Sequence, residues 1–134
     1  CVQEMKKFIK TIYKLKRNIN GSEYLGDLLV TSYSKFSRNR TLGDMIGKGY
    51  SIESAISKMN MISEGYYATK NAYEIGLKSK GGFIIINMAY EILYKGGCPK
   101  KCFEKLSIKL NWVSKLIQKF RVIFIKNSDI FNLI

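Results

Sequence analysis

The chain has 134 residues, enough for one domain with a real core, and carries 23 lysines and arginines against 10 acids, a formal charge of +13. A hydrophobic fraction of 46% with a single proline excludes a disordered or loop-rich protein, and the absence of histidine excludes imidazole bases, imidazole metal ligands and Ser-His or Cys-His pairs. Cys1, Cys98 and Cys102 are an odd three, which excludes a disulfide scaffold and suits a reducing compartment such as the cytoplasm.

The first predicted element is an amphipathic helix from the start of the chain. Val2, Met5, Phe8, Ile9 and Ile12 recur at helical steps, with Lys6, Lys7, Lys10 and Lys14 opposite. A helix that begins at residue 1 without a cap reads as cut from something longer, and no signal-peptide pattern precedes it. Asn18 to Gly21 is a break, after which Asp27 is placed to cap a short helix through Leu28-Leu29-Val30. A polar run at Ser37-Arg38-Asn39-Arg40 precedes a stripe of Leu42, Met45 and Ile46, which Gly47-Lys48-Gly49 ends. Ser51 then caps a helix whose inner face is Ile52, Ala55, Ile56 and Met59.

The spacing next predicts a longer helix over 64–78, with Tyr67, Ala68, Asn71, Ala72 and Ile75 on one stripe. Gly81-Gly82 interrupts it, and Ile85 to Tyr94 forms a further helix closed by Lys95-Gly96-Gly97. Pro99 suits the first turn of another helix containing Phe103 and Leu106. No segment alternates with period two, so the fold class is all-α. The best uncharged apolar run, Gly81 to Tyr90, stops at Glu91, short of the roughly 18 to 20 residues a membrane span needs.

Two local patterns invite chemistry and do not sustain it. Gly47-Lys48-Gly49 fits neither a P-loop, since Gly43 lies only four positions before Gly47, nor a dinucleotide loop, which needs a third glycine and a preceding strand. It reads as a turn. Cys98 and Cys102 are one residue too far apart for a Cys-x-x-Cys pair and lack the partners of a zinc site, so no metal is expected. The basic excess lies at the ends of the chain, +6 over 1–50, +1 over 51–97 and +6 over 98–134. Its lysines, interleaved with Tyr13, Tyr24, Tyr33 and Phe36, admit a nucleic-acid reading, but many fall on the polar face of one helix.

The least generic stretch runs from Leu25-Gly26-Asp27 to Ser37-Arg38-Asn39-Arg40. An arginine fork grips phosphate oxygens in two bonds, Ser37 and Asn39 add neutral hydrogen bonds, and Arg40 adds charge. A helix starting there would aim its unpaired N–H groups at the same anion, and Asp27 could accept from substrate hydroxyls or orient a nearby cation. These residue types suit a small phosphorylated, hydroxyl-bearing ligand.

With Ile62-Ser63-Glu64-Gly65 and Ala89-Tyr90-Glu91-Ile92-Leu93-Tyr94-Lys95-Gly96, these blocks resemble, in order and gaps, the C-terminal half of NAD(P)-dependent glycerol-3-phosphate dehydrogenases over residues 2–110. The resemblance implies a helical substrate domain over 1–110, an extension over 111–134, and a preceding Rossmann domain that binds NAD or NADP. It implies contacts to glycerol 3-phosphate or dihydroxyacetone phosphate from Asp27, Thr31, Ser37, Arg38 and Asn39. Arg38, Ile62 and Glu64 would reach the cofactor. It further implies a cytoplasmic homodimer in glycerophospholipid and carbohydrate metabolism, and hydride transfer in which a lysine donates the proton.

The sequence departs from that pattern twice. No Ala-x-Lys-Asn block stands in 1–10, so no catalytic residue is assigned in this chain and the isolated chain is expected to be inactive. The segment from Asn111 to Ile134 runs past the family's usual end. Trp112, Val113, Leu116, Ile117 and Phe120 at helical spacing suit a packed or subunit-contacting tail better than an interfacial membrane helix. The competing reading is a non-catalytic basic module that contacts nucleic acid or anionic lipid; under the leading one, neither nucleic acid nor a membrane span is expected.

Overall fold

A computed structural model describes residues 1–13, 18–79 and 81–111, and every regular element among them is helical, in agreement with the all-α expectation. The apolar and lysine faces of the first segment form α1, Val2–Ile12. There follow α2 (Asp27–Tyr33), α3 (Arg38–Gly47), α4 (Ile52–Lys58), α5 (Glu64–Lys78) and α6 (Ile84–Lys95). Residues 99–111 are helical as well. The chain divides into two compact units, Cys1–Cys102 and Phe103–Ile134, and α1 to α6 belong to the first. Among the described residues no helix is long and apolar enough to cross a membrane. The expectations for Lys14 and for 112–134 fall outside the described residues.

Two local expectations need correction. Asp27 does not cap α2, because the chain is already helical from Ser22: a π-helical turn, Ser22–Gly26, runs straight into α2, and the Asp27 N–H bonds back to the Ser22 carbonyl. The polar run at 37–40 opens α3, with Ser37 as its cap. The inner stripe of α5 is also rotated from the one expected. Tyr67 and Ile75 are exposed, whereas Tyr66 and Tyr73 stack on α6. Aliphatic periodicity missed this face because tyrosines carry its contacts.

Two apolar clusters hold the first unit. Leu42, Ile46 and Ala55 are buried between α3 and α4, and Ile52, Ile56, Met59, Tyr66, Ile92 and Leu93 pack around them. At the other cluster Phe83, 2% exposed, meets Phe8 of α1 edge-on, with ring centroids 5.3 Å apart. Beside it the Glu4 carboxylate accepts the N–H groups of Ile85, at 2.9 and 3.1 Å, and of Ile86, at 2.9 Å. The cap residue of α6, Phe83, has no side-chain acceptor of its own, so Glu4 of α1 supplies both the hydrogen bonds and the negative charge that a helix N-terminus attracts. At its other end α6 stops at Gly96, whose φ of +66° is a left-handed conformation that glycine adopts without strain.

Helices α5 and α6 are joined by a continuous tyrosine stack. Tyr73 lies on Tyr90 at 3.8 Å between centroids, Tyr90 on Tyr94 at 5.0 Å, and Tyr94 on Tyr66 at 4.7 Å. The Tyr94 hydroxyl donates to the Tyr66 carbonyl at 2.7 Å. Desolvation in the stack, followed by the Tyr66 contacts, pushes the Tyr94 phenol up to about 12.

Glu4→Ala should lower stability by about 1–2 kcal/mol, the cost of losing a helix cap, and Glu4→Gln by less, because an acceptor oxygen remains; denaturant unfolding checks both. The Tyr94 phenol is raised in the folded state, so its contribution to stability is complete below the ordinary tyrosine value and is lost as pH rises from about 10 through about 12. Tyr94→Phe should remove that component of the alkaline stability loss and the last phenolate transition in an absorbance titration.

Candidate functional site

The polar run 37–40 becomes helical because Ser37 satisfies the start of α3. Its hydroxyl oxygen accepts the Arg40 N–H at 3.3 Å, and its carbonyl accepts the N–H and the hydroxyl of Thr41 at 2.9 and 3.1 Å. Arg38 and Asn39 therefore lie in the first turn of α3, where backbone N–H groups lack helical partners.

Asn39 turns its side chain to the start of α5. Its Oδ1 accepts the Ser63 hydroxyl at 2.7 Å and the Gly65 N–H at 3.0 Å. Ser63 stands at the cap position of α5 but makes no cap bond itself. The cap is supplied by Asn39, from a helix more than 20 residues earlier in the chain. Gly65 permits the approach: a Cβ there would stand 2.7 Å from Oδ1. Beneath this junction is a cavity of ≈ 240 Å³, walled by Leu42, Gly43, Ile46, Tyr66, Thr69 and Leu93.

The same junction brings the Arg38 guanidinium within 3.6 Å of the Glu64 carboxylate, with the side chains 42% and 82% exposed. At that exposure the pair is an exchangeable contact, not a structural tie. Arg40 is differently employed. Its guanidinium donates to the Tyr33 carbonyl at 2.6 Å and so closes the C-terminus of α2 onto α3. The charge that Arg40 was expected to add beside Arg38 thus serves first as a helix cap.

Of the residues singled out in the sequence, Ser37, Arg38, Asn39 and Glu64 meet at one corner of the fold, and Ile62 stands two residues before Glu64 with 62% exposure. Asp27, exposed, and Thr31, half-buried, lie one turn apart on α2. Among the described residues no hydrogen bond or ion pair joins either of them to the Arg38–Asn39 corner. Ser63 and Gly65 are the residues that sequence reasoning passed over. A serine before Glu-Gly has the form of a local helix cap, and nothing in the local pattern indicates a partner on another helix. Gly47-Lys48-Gly49 is the turn after α3; Lys48 pairs with Asp44 at 2.6 Å, and that hydrogen bond, then the carboxylate charge, holds its ammonium above the ordinary lysine value. Among the described residues no group of three or more Cys, Asp or Glu side chains could hold a metal ion. Cys98 is exposed and Cys102 is buried.

The arrangement is an exposed arginine and a hydrogen-bonded asparagine amide at the start of α3, set beside the start of α5 in an all-helical domain. The chain belongs to the family described as the C-terminus of NAD-dependent glycerol-3-phosphate dehydrogenase, which matches residues 1–104. Similar curated proteins include the glycerol-3-phosphate dehydrogenases [NAD(P)+] of Staphylococcus aureus strains JH9, JH1 and Mu3, each 40% identical over 82 residues. These matches cover 61% of this chain and 25% of each relative, so the chain spans about a quarter of the length of the curated relatives it matches. No solved structure matches significantly.

The two contacts at this corner should differ in weight. Asn39→Ala leaves a buried hydroxyl and a helix-start N–H without their acceptor and should cost about 1–3 kcal/mol in denaturant unfolding. Glu64→Gln should change stability by less than about 1 kcal/mol, because it removes only an exposed ion pair.

Proposed function

We propose that this chain is the substrate-side domain of an NAD(P)-dependent glycerol-3-phosphate dehydrogenase, acting in a longer protein that interconverts sn-glycerol 3-phosphate and dihydroxyacetone phosphate. The observation that carries the reading is the convergence of Arg38 and Asn39 on the start of α5, which leaves an exposed guanidinium and an amide at the unpaired N–H end of α3. A phosphate dianion there would gain two charge-assisted bonds from Arg38, a neutral bond from Asn39 and the favourable end of the helix dipole. To reach it, the phosphate displaces or shares Glu64, which already holds Arg38 in place. In this reading Asp27 and Thr31, one turn apart on α2, contact the hydroxyl-bearing end of the substrate.

Arg38, Ile62 and Glu64 suit a dinucleotide. They offer a cation for its phosphates, an acceptor for ribose hydroxyls and an exposed apolar surface. The cofactor, when bound, supplies or accepts the hydride at the substrate's carbonyl carbon. This chain's residues bind and orient the substrate, and the proton-donating lysine comes from the rest of the enzyme. The natural partner is a Rossmann domain, and the exposed apolar side chains near the site fit that role. Leu29, Val30, Tyr33 and Phe36 are 49%, 69%, 79% and 96% exposed, and Met61 and Ile62 are each 62% exposed. Burying them stabilises a domain interface by about 25 cal/mol per Å² of apolar surface. In this reading the assembled enzyme is a cytoplasmic homodimer of glycerophospholipid and carbohydrate metabolism.

Titration calorimetry with glycerol 3-phosphate should detect binding to the chain and its loss in the Arg38→Ala, Asn39→Ala double variant. If the chain is instead a basic module, that double variant should retain nearly all its affinity for nucleic acid or anionic vesicles, where charge is distributed. The isolated chain supplied with NADH and dihydroxyacetone phosphate should show no turnover.

A further inference from the structure

We propose that Ser63 is a positioning residue for substrate phosphate: with the Gly65 N–H it locks the Asn39 amide so that Nδ2 is presented outward as a donor. The inference rests on the reading of Asn39 as a phosphate-binding residue and names the device that sets its geometry.

A backbone N–H can only donate, so the Asn39 atom it faces at 3.0 Å must be the amide oxygen. That single contact fixes which end of the amide points inward. The Ser63 hydroxyl, 2.7 Å from the same oxygen, supplies the second bond, and two donors on one Oδ1 fix the plane of the amide as well as its sense. Among the described residues no hydrogen bond engages Nδ2, and Asn39 is an exposed residue, which leaves both Nδ2 protons available.

Packing alone would not hold the amide in this way. Asn39 borders the ≈ 240 Å³ cavity, whose walls are largely apolar, so close packing does not by itself fix the amide. Ser63, by contrast, is 5% exposed, and its hydroxyl donates to Asn39. Burial makes its loss costly and makes its direction dependable. A hydroxyl in a buried setting adds order to a neighbouring polar group because the alternative orientations leave a group unpaired.

The arrangement also explains why Gly65 lacks a side chain. A Cβ there would stand 2.7 Å from Oδ1 and 2.8 Å from Cγ of Asn39, forcing the amide off its two donors. Gly65→Ala thus displaces Asn39 while leaving the Ser63 hydroxyl intact, and Ser63→Ala removes the hydroxyl while leaving Gly65 intact. The two variants attack one geometry from opposite sides.

The test uses the full chain, two-dimensional ¹⁵N–¹H spectra of the Asn39 side-chain amide, and titration with glycerol 3-phosphate and, separately, with inorganic phosphate. In the unaltered chain the two Nδ2 protons should give sharp, separate signals that shift on adding either ligand. Ser63→Ala should broaden or move those signals and weaken glycerol 3-phosphate binding about three- to tenfold, the effect of one hydrogen bond. Ser63→Thr, which keeps the hydroxyl, should restore both, and Gly65→Ala should reproduce the loss. A merely structural Ser63 would lower the unfolding midpoint of Ser63→Ala while leaving the Asn39 signals and the affinity unchanged, and that result overturns the proposal. If the unaltered chain binds neither ligand, the substrate reading fails by itself. The Asn39 signals still decide whether Ser63 locks the amide: broadening in Ser63→Ala supports the lock, and unchanged signals overturn it.

Discussion

The amide oxygen of Asn39 accepts from two groups at the start of another helix, and the geometry of the candidate site follows from that contact. Helix α5 lacks a cap from its own Ser63, so its first turn is completed only when α3 is alongside. Docking and capping are then one event. The same contact brings Glu64 to Arg38 and engages the Asn39 oxygen, so the candidate site arises as a by-product of how the first turn of α3 completes the start of α5.

The rest of the first unit repeats this economy of local caps replaced by distant ones. Helix α6 begins at a phenylalanine with no acceptor, and Glu4 of α1 fills the place from across the fold. The end of α2 is closed by Arg40 of α3. Helices whose ends depend on other helices are weakly specified alone, because a short helix pays a nucleation cost that its own hydrogen bonds barely offset. Contacts of this kind make folding cooperative and also place charged or polar side chains at helix ends, where anions are bound.

The helices themselves were largely legible. Ser51 and its inner face of Ile52, Ala55, Ile56 and Met59 are where pattern and capping rules put them, and the 64–78 helix has the expected bounds. What failed did so for identifiable reasons. Asp27 looked like a cap because Gly26 precedes it, yet a π-turn carries the helix through that glycine. The face of α5 was misjudged because Tyr66 and Tyr73 bury ring area through stacking, which a count of aliphatic residues does not register. Within the candidate site, the residue types at Ser37, Arg38 and Asn39 suggested anion chemistry and Glu64 entered only through the family resemblance, but Ser63 and Gly65 gave no signal, since their roles exist only opposite Asn39.

By itself the sequence determined the all-helical class, most helix positions, the exclusion of imidazole chemistry, and a resemblance to a dehydrogenase substrate domain that the family match bears out. Those properties depend on composition and on spacings of a few residues, which a linear pattern records. Only the tertiary structure decided which groups complete which helix ends: Asn39 for α5, Glu4 for α6 and Arg40 for α2. Hydrogen bonds between residues tens of positions apart depend on the packing of whole helices. The basic excess acquires its meaning in the same way. Arg38 is an exposed charge held beside a helix start, whereas Arg40, two residues on, is occupied with a carbonyl.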